Sequence, residues 1–226
     1  MVTDQIALGR AFDHLPDDTE ESLLGTPLHQ LVIVTLFDSL SRHRRRNGLP
    51  WFVGNQLRMR IPRGAGRPPY QPSPDILVHP TLDAPPDTSL DLRVTGPPAL
   101  VIEVASPSTA RDHDLDTLAP EAKPAAYAAA GIPEYLAYDP TGDIIPERVR
   151  AWRTDAAGGY EPWRPDARGH WVSRLGISFA PRGVLLRVYD AAGGAVPNND
   201  DMDDLLDTNQ RELAALRAEI RRLRGE

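Results

Sequence analysis

The residues best suited to chemistry are two acidic side chains carried by short apolar runs. Asp75 opens the run at residues 75–78, and Glu103 lies within the run at residues 99–106. Both runs are rich in β-branched residues and bounded by proline or glycine, which predicts buried β-strands. A buried carboxylate is costly unless a cation compensates it. The pair therefore indicates either a partner cation or a metal ion. The alternative is that Asp75 is solvated at a strand end and Glu103 faces an arginine.

The elements that follow add a lysine to the two carboxylates. Residues 106–109 predict a turn, residues 120–130 predict a helix, and residues 131–133 end that helix. Lys123 and Tyr127 are four residues apart and so share one helix face. Residues 134–140 predict a further strand that ends in a turn. Strand, strand, helix, strand, with Asp, Glu and Lys at the ends, is the layout of a nuclease core.

This series of motifs resembles the bacterial Uma-type restriction endonuclease family, a branch of the PD-(D/E)xK nuclease superfamily. The resemblance covers about residues 20–190. It implies an α/β fold with a restriction-endonuclease-like core, that is, a mixed central sheet flanked by helices, with added C-terminal β-hairpins and a C-terminal helix. The motifs that carry it are Pro74-Asp75, Val101-Ile102-Glu103-Val104-x-Ser106-Pro107-Ser108-Thr109, Lys123-x-x-x-Tyr127, Gly131-Ile132-Pro133-Glu134-Tyr135 and Tyr138-Asp139-Pro140.

The resemblance also implies a catalytic set, which consists of Asp75, Glu103 and Lys123. Asp75, Glu103 and the backbone carbonyl of Val104 would bind Mg²⁺ or Mn²⁺, which prefer oxygen ligands. The superfamily lysine usually stands two residues after the glutamate, where this chain has Ala105, and in the Uma-type pattern it has moved to the following helix. A helix-surface histidine is more often structural than chemical. The accessory candidates are Glu21, His29, Asp114 and Tyr127.

One departure from the family pattern leaves two functions open. Residues 112–120 lengthen the connection before the lysine helix, so the register of Lys123 is not fixed by the sequence. Pro124 fits only the first turn of a helix, which constrains where that helix begins. The first function is a metal-dependent endonuclease that hydrolyses DNA phosphodiester bonds. The second is a catalytically impaired nuclease-fold protein that binds DNA or another protein.

The charge distribution bears on a DNA partner. The chain has a net charge of −7, yet residues 42–67 contain eight arginines and no acidic residue. Such a segregated positive field can hold a polyanion in an acidic protein. The alternative is a solvated helix end followed by an exposed strand face. The candidate DNA-binding residues are Arg58, Arg60, Arg63 and Arg67.

The chain predicts one nuclease-like domain with appended segments. We expect an N-terminal arm at 1–19, the domain at 20–192, a linker at 193–200 and a coiled-coil-like helix at 201–226. This helix either packs on its own domain or pairs with a second copy, and we expect a homodimer. Its heptad seam, with 3-4-3-4-3 spacing and one polar position, consists of Leu206, Asn209, Leu213, Leu216, Ile220 and Leu223.

Composition excludes several classes of site. The chain has no cysteine, so it can form neither disulfides nor thiolate metal sites. This suits a reducing cytoplasm, where we expect the protein to reside. The longest apolar stretch, near residues 31–37, is too short to span a bilayer, and the first residues lack a signal-peptide pattern, so we expect no membrane association.

Overall fold

A computed structural model describes residues 26–63, 66–82, 86–106 and 122–224. A six-stranded sheet lies at its centre. The strands in chain order are β1 (Phe52–Asn55), β2 (Met59–Arg60), β3 (Ile76–His79), β4 (Leu90–Asp91), β5 (Leu100–Val104), β6 (Glu134–Tyr138), β7 (Val149–Thr154), β8 (Tyr160–Pro162), β9 (Trp171–Val172), β10 (Ser178–Arg182) and β11 (Leu185–Tyr189). The central sheet has the order β1-β3-β5-β6-β7-β8, and β5 and β6 are its parallel pair. The mixed sheet expected from the sequence is thus confirmed.

Helix α1 (Pro27–Asn47) covers one face of this sheet. Thr26 caps the helix by accepting a hydrogen bond from His29 N at 3.2 Å, and Pro27 occupies the first position, where no N–H is needed. Gly48, at φ 60°, ends the helix in the left-handed conformation. The helix buries an apolar stripe against the sheet, formed by Val32, Ile33, Leu36 and Leu40.

Helix α3 (Lys123–Ala129) contributes to a second core on the opposite face, and a four-residue helix α2 (Leu92–Thr95) precedes β5. Pro124 lies in the first turn of α3, as its chemistry requires. Gly131, at φ 76°, reverses the chain into β6. The apolar side chains of this core include Leu77, Val101, Tyr127, Tyr135 and Trp152.

The segment between α1 and the first acidic residue forms two short strands with different partners. β1 pairs with β3 in the central sheet, whereas β2 pairs in parallel with β4. The chain changes direction at Gln56, which has a positive φ of 46°. Gln56 N donates a hydrogen bond to the carbonyl of Asp75 at 3.1 Å. This contact ties the arginine-bearing segment directly to the residue that precedes β3.

The C-terminal hairpins form a three-stranded antiparallel sheet with the order β11-β10-β9. Phe179, Leu186 and Val188 from these strands enter the same core as α1. Arg148, a non-glycine residue at φ 62°, fastens this sheet to the central one. Its guanidinium donates to the hydroxyl of Tyr138 and, at 2.7 Å, to the carbonyl of Gly183 in the β10–β11 turn.

Helix α4 (Asn199–Arg224) follows the last strand and contains no buried residue. Its base is joined to the domain, because Arg42 Nη2 donates to Asn199 Oδ1 at 2.7 Å. Within the described residues, no helix is both long and apolar enough to cross a bilayer.

Asp139 organises the loop that follows β6, and it yields a prediction about stability. Its buried carboxylate accepts hydrogen bonds from Thr141 N (2.9 Å), Ile144 N (2.7 Å) and Ile145 N (2.9 Å). Burial alone would raise the pKa of Asp139, but the backbone donors outweigh it and hold the pKa below its usual value. We expect Asp139→Asn to lower the free energy of unfolding by about 2 kcal/mol at pH 7.

The sign of the pKa shift sets the pH dependence of this effect. A depressed carboxyl pKa stabilises the fold above the unfolded-state pKa of about 3.9, and this contribution is lost as pH falls through the folded-state pKa. The difference in the free energy of unfolding between wild type and Asp139→Asn, measured by urea denaturation, should therefore become smaller towards pH 3. The matched control is Asp155→Asn, since Asp155 caps a turn in a similar way but is exposed. A gap that is equal at pH 7 and pH 3 would contradict the assignment.

Candidate active site

Asp75 lies at the end of the sheet where β3 begins, next to β5. It is the residue before β3 and is only 6% exposed. Its Oδ2 accepts a hydrogen bond from Val104 N at 2.7 Å, so the carboxylate touches the peptide that joins Glu103 to Val104. The antiparallel register of β3 with β5 pairs Ile76 with Ile102 and, one step further, brings Asp75 beside Glu103. The two acidic residues predicted from the sequence are thus brought together.

Glu103 is buried on β5 and is contacted by both predicted residues of helix α3. Lys123 Nζ is 3.1 Å from Glu103 Oε1, and the Tyr127 hydroxyl donates to the same oxygen at 2.7 Å. The side chains of Lys123 and Glu103 are 2% and 3% exposed. Lys123 reaches the carboxylate because it begins α3, while Tyr127 lies one turn further along the same face.

A series of aromatic rings holds Tyr127 in place. The ring centroids of Tyr127 and Tyr135 are 5.6 Å apart, and those of Tyr135 and Trp152 are 5.7 Å apart. All three residues belong to the core beneath α3. Tilted aromatic contacts at these distances are attractive beyond the apolar area that they bury. The position of α3, and with it that of Lys123, is therefore fixed by packing on β6 and β7.

His29 is buried, whereas a helix-surface position was expected. It falls on the stripe of α1 that faces the sheet, and its Nε2 is 3.3 Å from Asp75 Oδ2. Burial alone would lower the pKa of His29, but the carboxylates of Asp75 and Glu103, together with the Val104 carbonyl, outweigh it and raise the pKa. The imidazole of His29 therefore contacts the Asp75 carboxylate from the α1 side of the sheet, whereas Lys123 contacts Glu103 from the α3 side.

The donor set at this point suits a hard divalent cation. Two nearly buried carboxylates and the Val104 backbone supply oxygen ligands, which Mg²⁺ and Mn²⁺ prefer over nitrogen or sulfur. Across the described segments, no three acidic or histidine side chains are grouped to hold a metal. A cation here would thus depend on Asp75, Glu103, the Val104 carbonyl and water. Magnesium commonly retains several waters when one or two carboxylates bind it.

The arginines predicted to bind DNA lie on the segment that leads to Asp75. Arg58 follows Gln56 by two residues and is exposed, and Arg67 is exposed as well. Arg60 is half-buried on β2, while the guanidinium of Arg63 stacks 5.3 Å from the ring centroid of Tyr70. The accessory candidates Glu21 and Asp114 lie outside the described residues.

Arg150 also belongs near the site, although the sequence did not single it out. The register pairs Glu103 with Ala137 and Ala137 with Arg150, which places all three in one row across β5, β6 and β7. Arg150 therefore shares a face with Glu103 at about 10 Å, two strand spacings away. Its Nη2 is 3.0 Å from Glu147 Oε2 in an exposed pair. The alternation of residues 149–153 was the available signal, but only the register relates it to Glu103.

A mixed sheet with two acidic residues on neighbouring strands, and a lysine from the helix between β5 and β6, defines a restriction-endonuclease-like fold. The chain belongs to the Uma2 family, described as "putative restriction endonuclease", whose model matches residues 16–179 and hence more than half of the sequence. A comparison with curated proteins gave no match. The family and the fold class expected from the motif series are both confirmed.

Proposed function

We propose that this protein is a Mg²⁺- or Mn²⁺-dependent endonuclease that hydrolyses DNA phosphodiester bonds. The observation that carries the proposal is the convergence of Asp75, Glu103 and Lys123, which come from three separate elements. The Asp75 carboxylate accepts a hydrogen bond from Val104 N, and Lys123 Nζ lies 3.1 Å from Glu103 Oε1. Membership of a nuclease family adds the reaction class and makes DNA the expected substrate. Neither the residue roles nor the metal follows from family membership alone.

Each residue has a distinct role in the proposed reaction. Asp75, Glu103 and the Val104 carbonyl would hold the cation, which when bound supplies charge stabilisation and a water of lowered pKa. Lys123 would place its ammonium beside the phosphate and oppose the charge that develops there. Tyr127 fixes the Glu103 carboxylate by its hydrogen bond. His29 orients Asp75 from the α1 side.

Arginines on the flanking segments would contact the phosphate backbone. Arg58 and Arg67 are exposed on the segment that ends at Asp75, and Arg150 lies on the face of Glu103. Such contacts are independent of sequence and weaken as salt rises. They position a duplex over the carboxylates without selecting a recognition sequence. Within this proposal the protein acts in the cytoplasm as a homodimer that presents two sites to the two strands.

Plasmid nicking tests the proposed function. Purified protein with Mg²⁺ or Mn²⁺ should convert supercoiled DNA to open-circle and linear forms, and EDTA should prevent this. Asp75→Asn should lose the activity by at least about 10³-fold, since it removes the charge that a cation requires. Equal activity in this variant would reveal a contaminant or a different site. DNA binding with no cleavage in either metal would instead favour the impaired, binding-only function, which the long connection before Lys123 left open.

A further inference from the structure

Helix α4 presents an apolar stripe to solvent. From residue 203 onwards every described residue is exposed, including six large apolar side chains that are 48–73% exposed. These are Leu205, Leu206, Leu213, Leu216, Ile220 and Leu223. Five of them, Leu205 being the exception, fall on the heptad seam. A contiguous apolar stripe of this kind marks an interaction surface.

The base of the helix is fixed to the domain by a reciprocal cap. Asp201 N donates to Asn198 Oδ1 at 2.8 Å, while Asn198 N donates to Asp201 Oδ2 at 2.9 Å. Arg187 on β11 forms an ion pair with the same aspartate. This arrangement is a capping box, which satisfies two of the orphan donors at a helix start. The helix thus leaves the domain from an ordered base, and its seam lies beyond that base.

We infer that α4 pairs with a second copy of this chain as a parallel two-stranded coiled coil. In the heptad with Leu206, Leu213 and Ile220 at the a positions, Glu212 and Glu219 fall at g positions. The matching e positions are Arg217 and Arg224. A parallel pair brings each g residue against the e residue five positions on in the other copy, which creates Glu–Arg contacts on both sides.

The antiparallel arrangement lacks this complementarity. It sets g against g and e against e, so Glu would face Glu and Arg would face Arg. Like charges at these positions are how coiled coils reject a wrong partner or orientation. The e and g charges of α4 therefore select one orientation as well as one partner, namely an identical chain.

Asn209, the one polar residue of the seam, gives a second and independent reason for the parallel orientation. In a parallel pair Asn209 meets Asn209 of the second copy, and two amides can hydrogen-bond to each other. In the antiparallel pair with matched ends, Asn209 would face Ile220, which would leave a desolvated amide without a partner.

The uneven distribution of charge along α4 opposes this orientation but acts weakly. Aspartates occupy its first turns and arginines its last, which by itself would favour antiparallel helices. Most of these charges lie at the outer b, c and f positions, where salt screens them over about 10 Å. Two of the aspartates are also paired with arginines, Asp201 with Arg187 on β11 and Asp207 with Arg211 one turn further along the helix. The e and g contacts at the seam decide the orientation.

The orientation has a consequence that rests on the proposed function. Parallel helices hold both nuclease domains at the same end, where two sites can meet one duplex. Antiparallel helices would separate the domains by up to roughly 40 Å, the length of a 26-residue helix. The seam spans about three heptads, so the pairing should be reversible and depend on concentration.

Cysteine cross-linking tests the pairing cleanly, because the chain has no cysteine of its own. Leu223→Cys places a thiol at a d position near the helix end, where parallel partners come within disulfide distance. Under mild oxidation we expect a covalent dimer of twice the 24.9 kDa chain mass. The matched control is Ala218→Cys, at an outer f position of the same helix, and it should remain a single chain. Leu206→Cys should cross-link like Leu223→Cys.

Two results would overturn the inference. Cross-linking in a mixture of Leu206→Cys and Leu223→Cys, but in neither alone, would show antiparallel helices. Absence of cross-linking in all variants, with a single-chain mass in sedimentation equilibrium at high protein concentration, would exclude the dimer. The experiment needs neither DNA nor metal, so its outcome is separate from that of the nicking assay.

Discussion

Shortening Glu103 by one methylene, in Glu103→Asp, should lower the rate of metal-dependent DNA cleavage by about 10²-fold or more, because a 1 Å misplacement at a reacting centre can cost that much. The substitution keeps the negative charge but withdraws the carboxylate from Lys123 and Tyr127. Those contacts measure 3.1 Å and 2.7 Å, so a side chain shorter by one methylene would lose both of them. Cleavage is measured as the initial rate of supercoiled plasmid loss in Mg²⁺.

The matched control for this substitution is Glu134→Asp. Glu134 is an equally buried glutamate on β6 of the same sheet, but its partners are Ser173 and Arg174 in the C-terminal part of the domain. Its shortening should leave the cleavage rate within about twofold of wild type, since no group it touches belongs to the proposed site. Equal losses in both variants would mean that general destabilisation, and not the position of the Glu103 carboxylate, governs the rate.

The largest stability effect should come from breaking the buried Lys123–Glu103 ion pair. Lys123→Met removes the cation and leaves a carboxylate buried without it, which should cost about 3–5 kcal/mol in the free energy of unfolding. The double variant Glu103→Gln/Lys123→Met replaces the ion pair with neutral groups of similar volume and should recover most of this loss. Urea denaturation of the wild type, the two single variants and the double variant gives the coupling energy.

An exposed ion pair of the same geometry serves as the control. Arg153 Nε is 3.1 Å from Glu161 Oε1, but both side chains are more than 40% exposed. Arg153→Met should cost less than about 1 kcal/mol, because solvent screens such pairs. If Lys123→Met lowers the free energy of unfolding no more than Arg153→Met does, the ion pair between Lys123 and Glu103 is not formed in solution.

Local sequence signals predicted the strands that carry the carboxylates. The proline-bounded apolar runs became β3 and β5, both buried along their whole length. Helix α1 is likewise bounded by local signals, Thr26-Pro27 at its start and Gly48 at its end. The sequence contains enough information to predict these elements, because helix capping and strand burial depend on neighbouring residues.

Features that depend on contacts between distant parts of the chain could not be predicted from the sequence. His29 meets Asp75 from 46 residues away, and no local pattern records that contact. The distance from Lys123 to Glu103 depends on where α3 docks on Tyr135, which the sequence left open. Strand β10 contains Pro181, a residue that is unfavourable inside a strand. The structure accommodates that proline because β9 pairs only with Ser178 and Phe179, so no N–H is needed on that side.

The guanidinium of Arg148 gives the nuclease core a physical connection to the helix through which two copies would meet. It leaves the loop organised by Asp139, reaches the turn before β11, and β11 in turn holds the base of α4 through Arg187 and Asp201. These two side-chain contacts join the loop, the last strand and the final helix. A displacement of the loop that Asp139 organises would therefore move the turn before β11, and with it the base of the C-terminal helix.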